Sequence, residues 1–173
     1  MAAKTTKAAT KKQVSKKPAA PMRWSASDRK RLADALNTLL AAYQVHYQKL
    51  HNYHWNVEGA EFFELHELTE EQYGQAHADI DEIAERIRVF RERPLSTFAE
   101  YLKASPIKED PGTPPPSKMV ANLLADYKAL LELMYSTADL ADDVDDLVTE
   151  DMMIKFIARF EKQRWMLEAL SGK

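Results

Sequence analysis

Imidazoles and carboxylates crowd into one part of this chain. Between His51 and Arg86 the sequence reads HNYHWNVEGAEFFELHELTEEQYGQAHADIDEIAER, and it holds four of the five histidines. At 100° per residue, with His66 set at zero, Glu70 falls near ~40°, His77 near ~20°, Asp81 near ~60° and Glu85 near ~100° on a helix. These five residues form one stripe about a quarter-turn wide. A polar stripe usually faces water, and a solvated acidic face is the plain alternative here. This one, however, combines imidazole with carboxylate, the donor set that suits iron, manganese or zinc.

Spacing narrows the possibilities. His66 and Asp81 are fifteen residues apart, roughly 22 Å along a helix rising ~1.5 Å per residue, whereas a metal–ligand bond is only about 2 Å long. One ion cannot reach both from one helix. Either the stripe makes two separate sites, or two copies lie antiparallel and set His66 of one near Asp81 and Glu85 of the other, at a two-fold interface. A di-iron site inside one bundle would need Glu-x-x-His on two helices. No glutamate stands three residues before any histidine in this chain, which argues against such a site.

The elements that would carry these residues are helical. The chain has 173 residues, 45% of them apolar, and only four glycines, which fits one all-α domain with a sizeable core. The first helix is expected from Ser25 or Ser27, with Ser25 and Asp28 spaced as a capping box. Leu32, Leu36, Leu39, Leu40, Tyr43, Tyr47 and Leu50 recur at helical spacing. His54 continues that row, and a satisfied core histidine is the ordinary reading of it; His46 and His51 lie near the same face. A turn at 56–59 leads to a second helix from about Glu61 to Arg91, ending before Pro94. Residues 95–104 suit a short helix capped by Ser96, and the five prolines in 105–116 suit a loop. A third helix is expected from about Ser117 to Asp145. A fourth should run from about Thr149, as its N-cap, to Leu170, with Phe156, Phe160, Trp165 and Leu170 on its apolar side. Four long helices with a long link between the second and third make a four-helix bundle, ferritin-like in outline, with a short extra helix in the link.

Charge divides the chain in two. Residues 1–24 contain six lysines, one arginine and no acid, a charge of +7; the remaining 17 basic and 27 acidic residues give −10. Residues 1–24 have few apolar side chains and are expected to form a disordered basic arm, leaving 25–173 as the folded domain. Lys4, Lys7, Lys11, Lys12, Lys16, Lys17 and Arg23 would neutralise phosphates without reading base sequence, in a salt-sensitive way. A solubilising tail and an organelle transit peptide are the other readings; a secretory signal is excluded because no apolar core segment is present. No apolar run approaches the ~20 residues that cross a bilayer, so no membrane partner is expected. Cysteine is absent, which removes thiolate ligands and disulfides, fits a reducing cytoplasm and suits a protein that meets oxidants.

Several motifs together resemble the Dps family, the miniferritins known as DNA-binding proteins from starved cells. They are His54-Trp55-Asn56-Val57-Glu58-Gly59, Phe62-Phe63, Leu65-His66, Asp81-Glu82-Ile83-Ala84-Glu85-Arg86, and, near the end of the chain, Glu161-Lys162 and Trp165-Met166-Leu167. The resemblance covers residues 30–170 or so. It implies a ferroxidase site for two irons between two-fold-related subunits, with His54 and His66 from one subunit and Asp81 and Glu85 from its partner. Glu70 stands where the family often has Asp, and would bind directly or through water. Trp55 would lie beside the site, as a radical quencher or a packing residue, and His77 has no family role and would at most lie behind the ligands. The resemblance also implies oxidation of Fe²⁺ by hydrogen peroxide, or more slowly by dioxygen, and storage of ferric oxide in a hollow dodecamer. Asp142, Asp145, Asp146 and Asp151, in an acidic run, would line three-fold pores, with helix capping and solubility as the alternative. Non-specific DNA binding through the arm would place the protein at the nucleoid. The alternative function is an architectural, DNA-compacting protein whose metal site is vestigial.

Overall fold

The computed structural model of the chain describes residues 22–172. Lys4, Lys7, Lys11, Lys12, Lys16 and Lys17 lie outside the described residues. Five helices and no strand are found among those described: α1 (Ala26–Asn56), α2 (Phe62–Val89), α3 (Phe98–Ala104), α4 (Pro116–Asp143) and α5 (Leu147–Leu170). The four long ones make the expected all-α bundle, with α3 in the link between α2 and α4. α1 packs along α2 and α4, α4 packs along α5, and α3 lies against α1. No described helix is long and apolar enough to cross a membrane.

Local chemistry sets the helix ends. Ser25 Oγ accepts the Asp28 backbone N–H at 3.1 Å and donates its own proton to the Asp28 carboxylate at 2.6 Å, so the first cap is the expected one. The α1–α2 turn depends on Gly59, whose φ of +106° would strain any L side chain. The cap of α3 is Thr97 rather than Ser96: Thr97 and Glu100 form a reciprocal capping box. α5 is capped three residues earlier than expected. Its N-cap is Asp146, whose carboxylate accepts the Thr149 N–H, and Thr149 is fully buried in the first turn instead of preceding it.

Tyr43, Tyr53, Tyr127, Phe90 and Phe156 are fully buried with Leu32, Leu36, Leu39, Leu40, Leu50, Ile83 and Ile87. Each such side chain contributes about 1.5–3 kcal/mol by leaving water. Phe156 and Phe160 face this core as expected, but Trp165 is 65% exposed and Leu170 42%. Leu167, in the same turns, is the residue that faces the core there, and Trp165 and Leu170 point away from it. Ion pairs tie α2 to α5: Asp79 with Arg159, Asp146 with Arg86, and Glu82 with Lys155. The folded body also begins earlier than residue 25. The Trp24 ring meets Phe90 edge-on at 5.4 Å, Arg86 lies over both rings, and Arg29 donates to the Trp24 carbonyl at 2.9 Å.

Candidate metal centre

The last turn of α1 and the first turns of α2 bring His54 and His66 face to face. Their rings stack with centroids 3.8 Å apart and planes 20° apart. His54 Nδ1 donates to the His66 carbonyl at 2.8 Å, and His66 Nδ1 donates to the His54 carbonyl at 2.9 Å. A carbonyl can only accept, so each ring holds its proton on Nδ1 and keeps the Nε2 lone pair free for a cation. Glu70, one turn after His66, joins them: one ligand atom from each of His54, His66 and Glu70 lies within 4.8 Å of the others. Direct ligation by Glu70 is therefore within reach of the same ion.

Aromatic rings fix this cradle in place. Phe62 stacks on His66 at 5.1 Å and Tyr73 meets His54 edge-on at 5.2 Å. His51 stacks on Tyr73 at 4.2 Å, and Trp55, 65% exposed, tilts against His51 at 5.0 Å. Trp55 thus borders the cradle through His51 and Tyr73. Desolvation holds His51 below the ordinary histidine range, with the Tyr47 carbonyl opposing and neighbouring His54 adding to it. Desolvation also raises the Tyr73 phenol, and Glu70 raises it further. His54 is thus buried behind these rings, His66 half-buried, and Glu70 is exposed at the mouth of the cradle.

Asp81 and Glu85 are exposed on α2, and their helical distance from His66, roughly 22 Å for Asp81, keeps them out of this cluster. His77 is also exposed; its ring lies 6.2 Å from Tyr47, and it stands ~16 Å along the helix from His66, beside none of the three clustered donors. Among the acids proposed for a pore, Asp142, Asp145 and Asp151 are exposed around the α4–α5 turn. Asp146 is a correction: it is fully buried, its carboxylate held by Arg86 and the Thr149 hydroxyl, so it cannot face an aqueous channel. Arg23 is exposed at the start of the described chain.

Spacing did not reveal two buried polar groups. Asp79 is 1% exposed and binds Arg159, Gln75 at 2.9 Å and Tyr43 at 3.2 Å; burial raises its carboxyl although Arg159 opposes the shift. His46 bonds through Nδ1 to Asp126 at 3.0 Å, and Lys49 donates to the same carboxylate at 2.7 Å. The signal was available: Asp79 projects opposite the metal stripe, on the core side of its helix, where an acid needs a partner.

Comparison with known proteins fits this geometry. The model of the ferritin-like domain family matches residues 33–173. General stress protein 20U of Bacillus subtilis is 39% identical over 141 residues, covering 82% of this chain and 97% of that protein. The DNA protection during starvation protein of Brevibacillus brevis is 41% identical over 138 residues, covering 80% of this chain and 93% of the relative. The crystal structure of the Dps protein from Vibrio cholerae O1, described as a member of a broad superfamily of ferritin-like diiron-carboxylate proteins, superposes with a TM-score of 0.82 at 40% identity, covering 84% of this chain and 92% of that one. This chain belongs to the Dps family of ferritin-like proteins. The family match takes in the His54–His66 cradle and the whole exposed stripe of α2; it begins inside α1, so the basic segment lies outside the part of the chain that is matched as ferritin-like.

Proposed function

We propose that this Dps-family chain is a ferroxidase and iron-storage protein whose metal site is shared by two copies. The observation that carries the reading is the pairing of two tautomer-locked imidazoles with Glu70, three donors that leave any cation incompletely ligated. Asp81 and Glu85 stand exposed further along the same stripe. An antiparallel partner would bring its own Asp81 and Glu85 to this cradle and receive the same in return, as a two-fold axis requires.

In this reading Fe²⁺ is the substrate. The imidazoles are borderline donors that hold the ferrous ion, and the carboxylates, harder donors, stabilise the ferric product. Two ferrous ions per site each give one electron to hydrogen peroxide. Its O–O bond breaks, two protons are taken up and two waters leave, so no free hydroxyl radical need form. Hydrolysis of the two ferric ions to oxide-hydroxide then releases more protons than peroxide consumed, a net two per iron. The mineral would collect inside a closed dodecamer, with Asp142, Asp145 and Asp151 concentrating incoming cations around three-fold pores through their summed potential.

The +7 segment at residues 1–24 supports non-specific DNA binding, and with it association with the nucleoid in the cytoplasm. The rest of the chain, at −10, repels phosphates, so many arms on one shell would act together. Anaerobic Fe²⁺ titration followed by peroxide tests the reading: saturation near two irons per site and a fast ferric signal only after peroxide are expected, and no saturable binding would reject it.

A further inference from the structure

Two exposed residues on the α2 stripe are not accounted for by their own chain. Gly74 sits inside a 28-residue helix, where glycine is weaker than alanine. The backbone does not call for it: Gly59 and Gly172 are the described glycines with positive φ. Crowding does not call for it either, since a Cβ built at Gly74 would meet nothing within 4 Å. His77, one turn on, is also exposed, its ring tilted against Tyr47 at 6.2 Å.

A second copy accounts for both. In an antiparallel pair about a two-fold axis, opposed residues share one midpoint in the sequence. Setting His66 opposite the partner's Glu85 puts that midpoint between Gln75 and Ala76, and setting Glu70 opposite the partner's Asp81 gives the same midpoint. The two pairings that join a cradle to the partner's acids therefore belong to one register. In that register Gly74 falls opposite the partner's His77, once on each side of the axis. Phe63, 71% exposed, falls opposite the partner's Arg88, which is exposed too. At 100° per residue, Phe63, Gly74, His77 and Arg88 stand at ~60°, ~80°, ~20° and ~40° from His66, inside the stripe that carries the ligands. An arginine against an aromatic face is favourable, and an imidazole against a glycine is a knob over a gap. Glu70 lies one turn before Gly74, about 6 Å along the helix, so an imidazole seated on Gly74 has that carboxylate within reach of its ring N–H.

We propose that paired copies cross at Gly74, with His77 of each seated over Gly74 of the other and donating its ring N–H to the Glu70 carboxylate there. His77 is then a positioning residue: the partner supplies the group that aims Glu70 at the ion, and Gly74 supplies the room for it. This rests on the shared-site reading, whose ligands fix the register.

The crossing is tested with two full-length variants. Gly74→Leu fills the gap, and His77→Ala removes the knob. Alone, Gly74→Leu sets two leucines against two imidazoles; it should stay largely unassembled while its helix content, read by circular dichroism, matches the parent's. Refolded with an equal amount of His77→Ala, it should enter assemblies one-to-one, because each mixed pair sets leucine against alanine and imidazole against glycine. Native mass spectrometry reads that ratio. Assembly of Gly74→Leu alone as readily as the parent, or its exclusion from the mixture, would overturn the crossing. If Gly74→Leu loses its helix content, thiols decide. The chain has no cysteine, so Gly74→Cys and His77→Cys chains, co-assembled, should be joined to each other by a short bis-maleimide; failure to join would overturn the crossing.

The aim of Glu70 is read separately. His77→Ala should raise the Fe²⁺ concentration that half-saturates peroxide-driven oxidation several-fold, more than it lowers the maximal rate. His77→Gln, which keeps an N–H donor, should restore it. Equal half-saturation in His77→Ala and the parent would overturn the contact with Glu70. Should the parent show no iron oxidation, the ferroxidase reading fails on its own, and the assembly ratio still decides the crossing.

Discussion

His54 and His66 lock each other's tautomer. Each Nδ1 donates to the other's backbone carbonyl, at 2.8 and 2.9 Å, across rings stacked 3.8 Å apart. Each ring is anchored on the other residue's backbone, and the pair aims two Nε2 lone pairs without help from any carboxylate. Replacing both, His54→Ala with His66→Ala, should therefore lower peroxide-driven Fe²⁺ oxidation by more than the ~10–100-fold typical of losing a group that merely supports a ligand. DNA binding should be retained, measured by gel shift on the same preparation. Retained oxidation would remove this pair from the site, and joint loss would point to misfolding, which size-exclusion chromatography reports.

Removing residues 1–22 is expected to abolish the DNA shift and leave the oxidation rate unchanged. In the intact protein the apparent affinity should fall steeply between about 50 and 200 mM salt, as it does for binding driven by phosphate neutralisation. An equal shift by the truncated form would show that the acidic body, not the arm, holds DNA.

The Asp79–Arg159 pair gives a stability prediction independent of metal. Asp79 is 1% exposed, and burial already raises its carboxyl. Arg159→Met would strand that charge and cost about 3–5 kcal/mol, read as a lower denaturant midpoint. Replacing both partners, Asp79→Leu with Arg159→Met, should recover much of the loss, because an apolar pair needs no compensation. No difference between the single and double variants would contradict this account of the pair.

Acid should loosen the start of α3. Arg93 first, then the Ser96 and Thr97 contacts, pull the Glu100 carboxyl down to about 2. A depressed folded value means that its contribution is fully present above the ordinary carboxylate range and is lost as pH falls towards 2. Hydrogen exchange should therefore show the N-terminal amides of α3 losing protection over that interval, and Glu100→Gln should remove most of the pH dependence there. A flat profile in the parent protein would show that the capping box does not hold α3.

Helix periodicity and capping chemistry made most of the fold legible. Ser25 with Asp28, the row from Leu32 to His54 and the proline-rich link all stand where local rules place them. Failures came where a polar residue serves the interior. Thr149 is a good N-cap by type, yet Asp146 takes that role because Arg86, sixty residues away in sequence, neutralises its burial. The same long-range pairing removed Asp146 from the pore acids. Trp24 was assigned to the arm by charge, but Phe90 and Arg86 hold it on the body. At the candidate centre, spacing alone excluded a single-helix site, whereas the tautomer lock depends on a turn geometry no periodicity encodes.

Whether the site is shared between copies is tested most directly by complementation. One variant carries His54→Ala and His66→Ala, the other Asp81→Ala and Glu85→Ala; each alone should be inactive. After unfolding together and co-assembly, every mixed pair regains one intact site of two, so random pairing should restore roughly a quarter of the parent rate of peroxide-driven Fe²⁺ oxidation. Mixed assemblies, verified by mass, that stay as inactive as their parents would contradict the shared site.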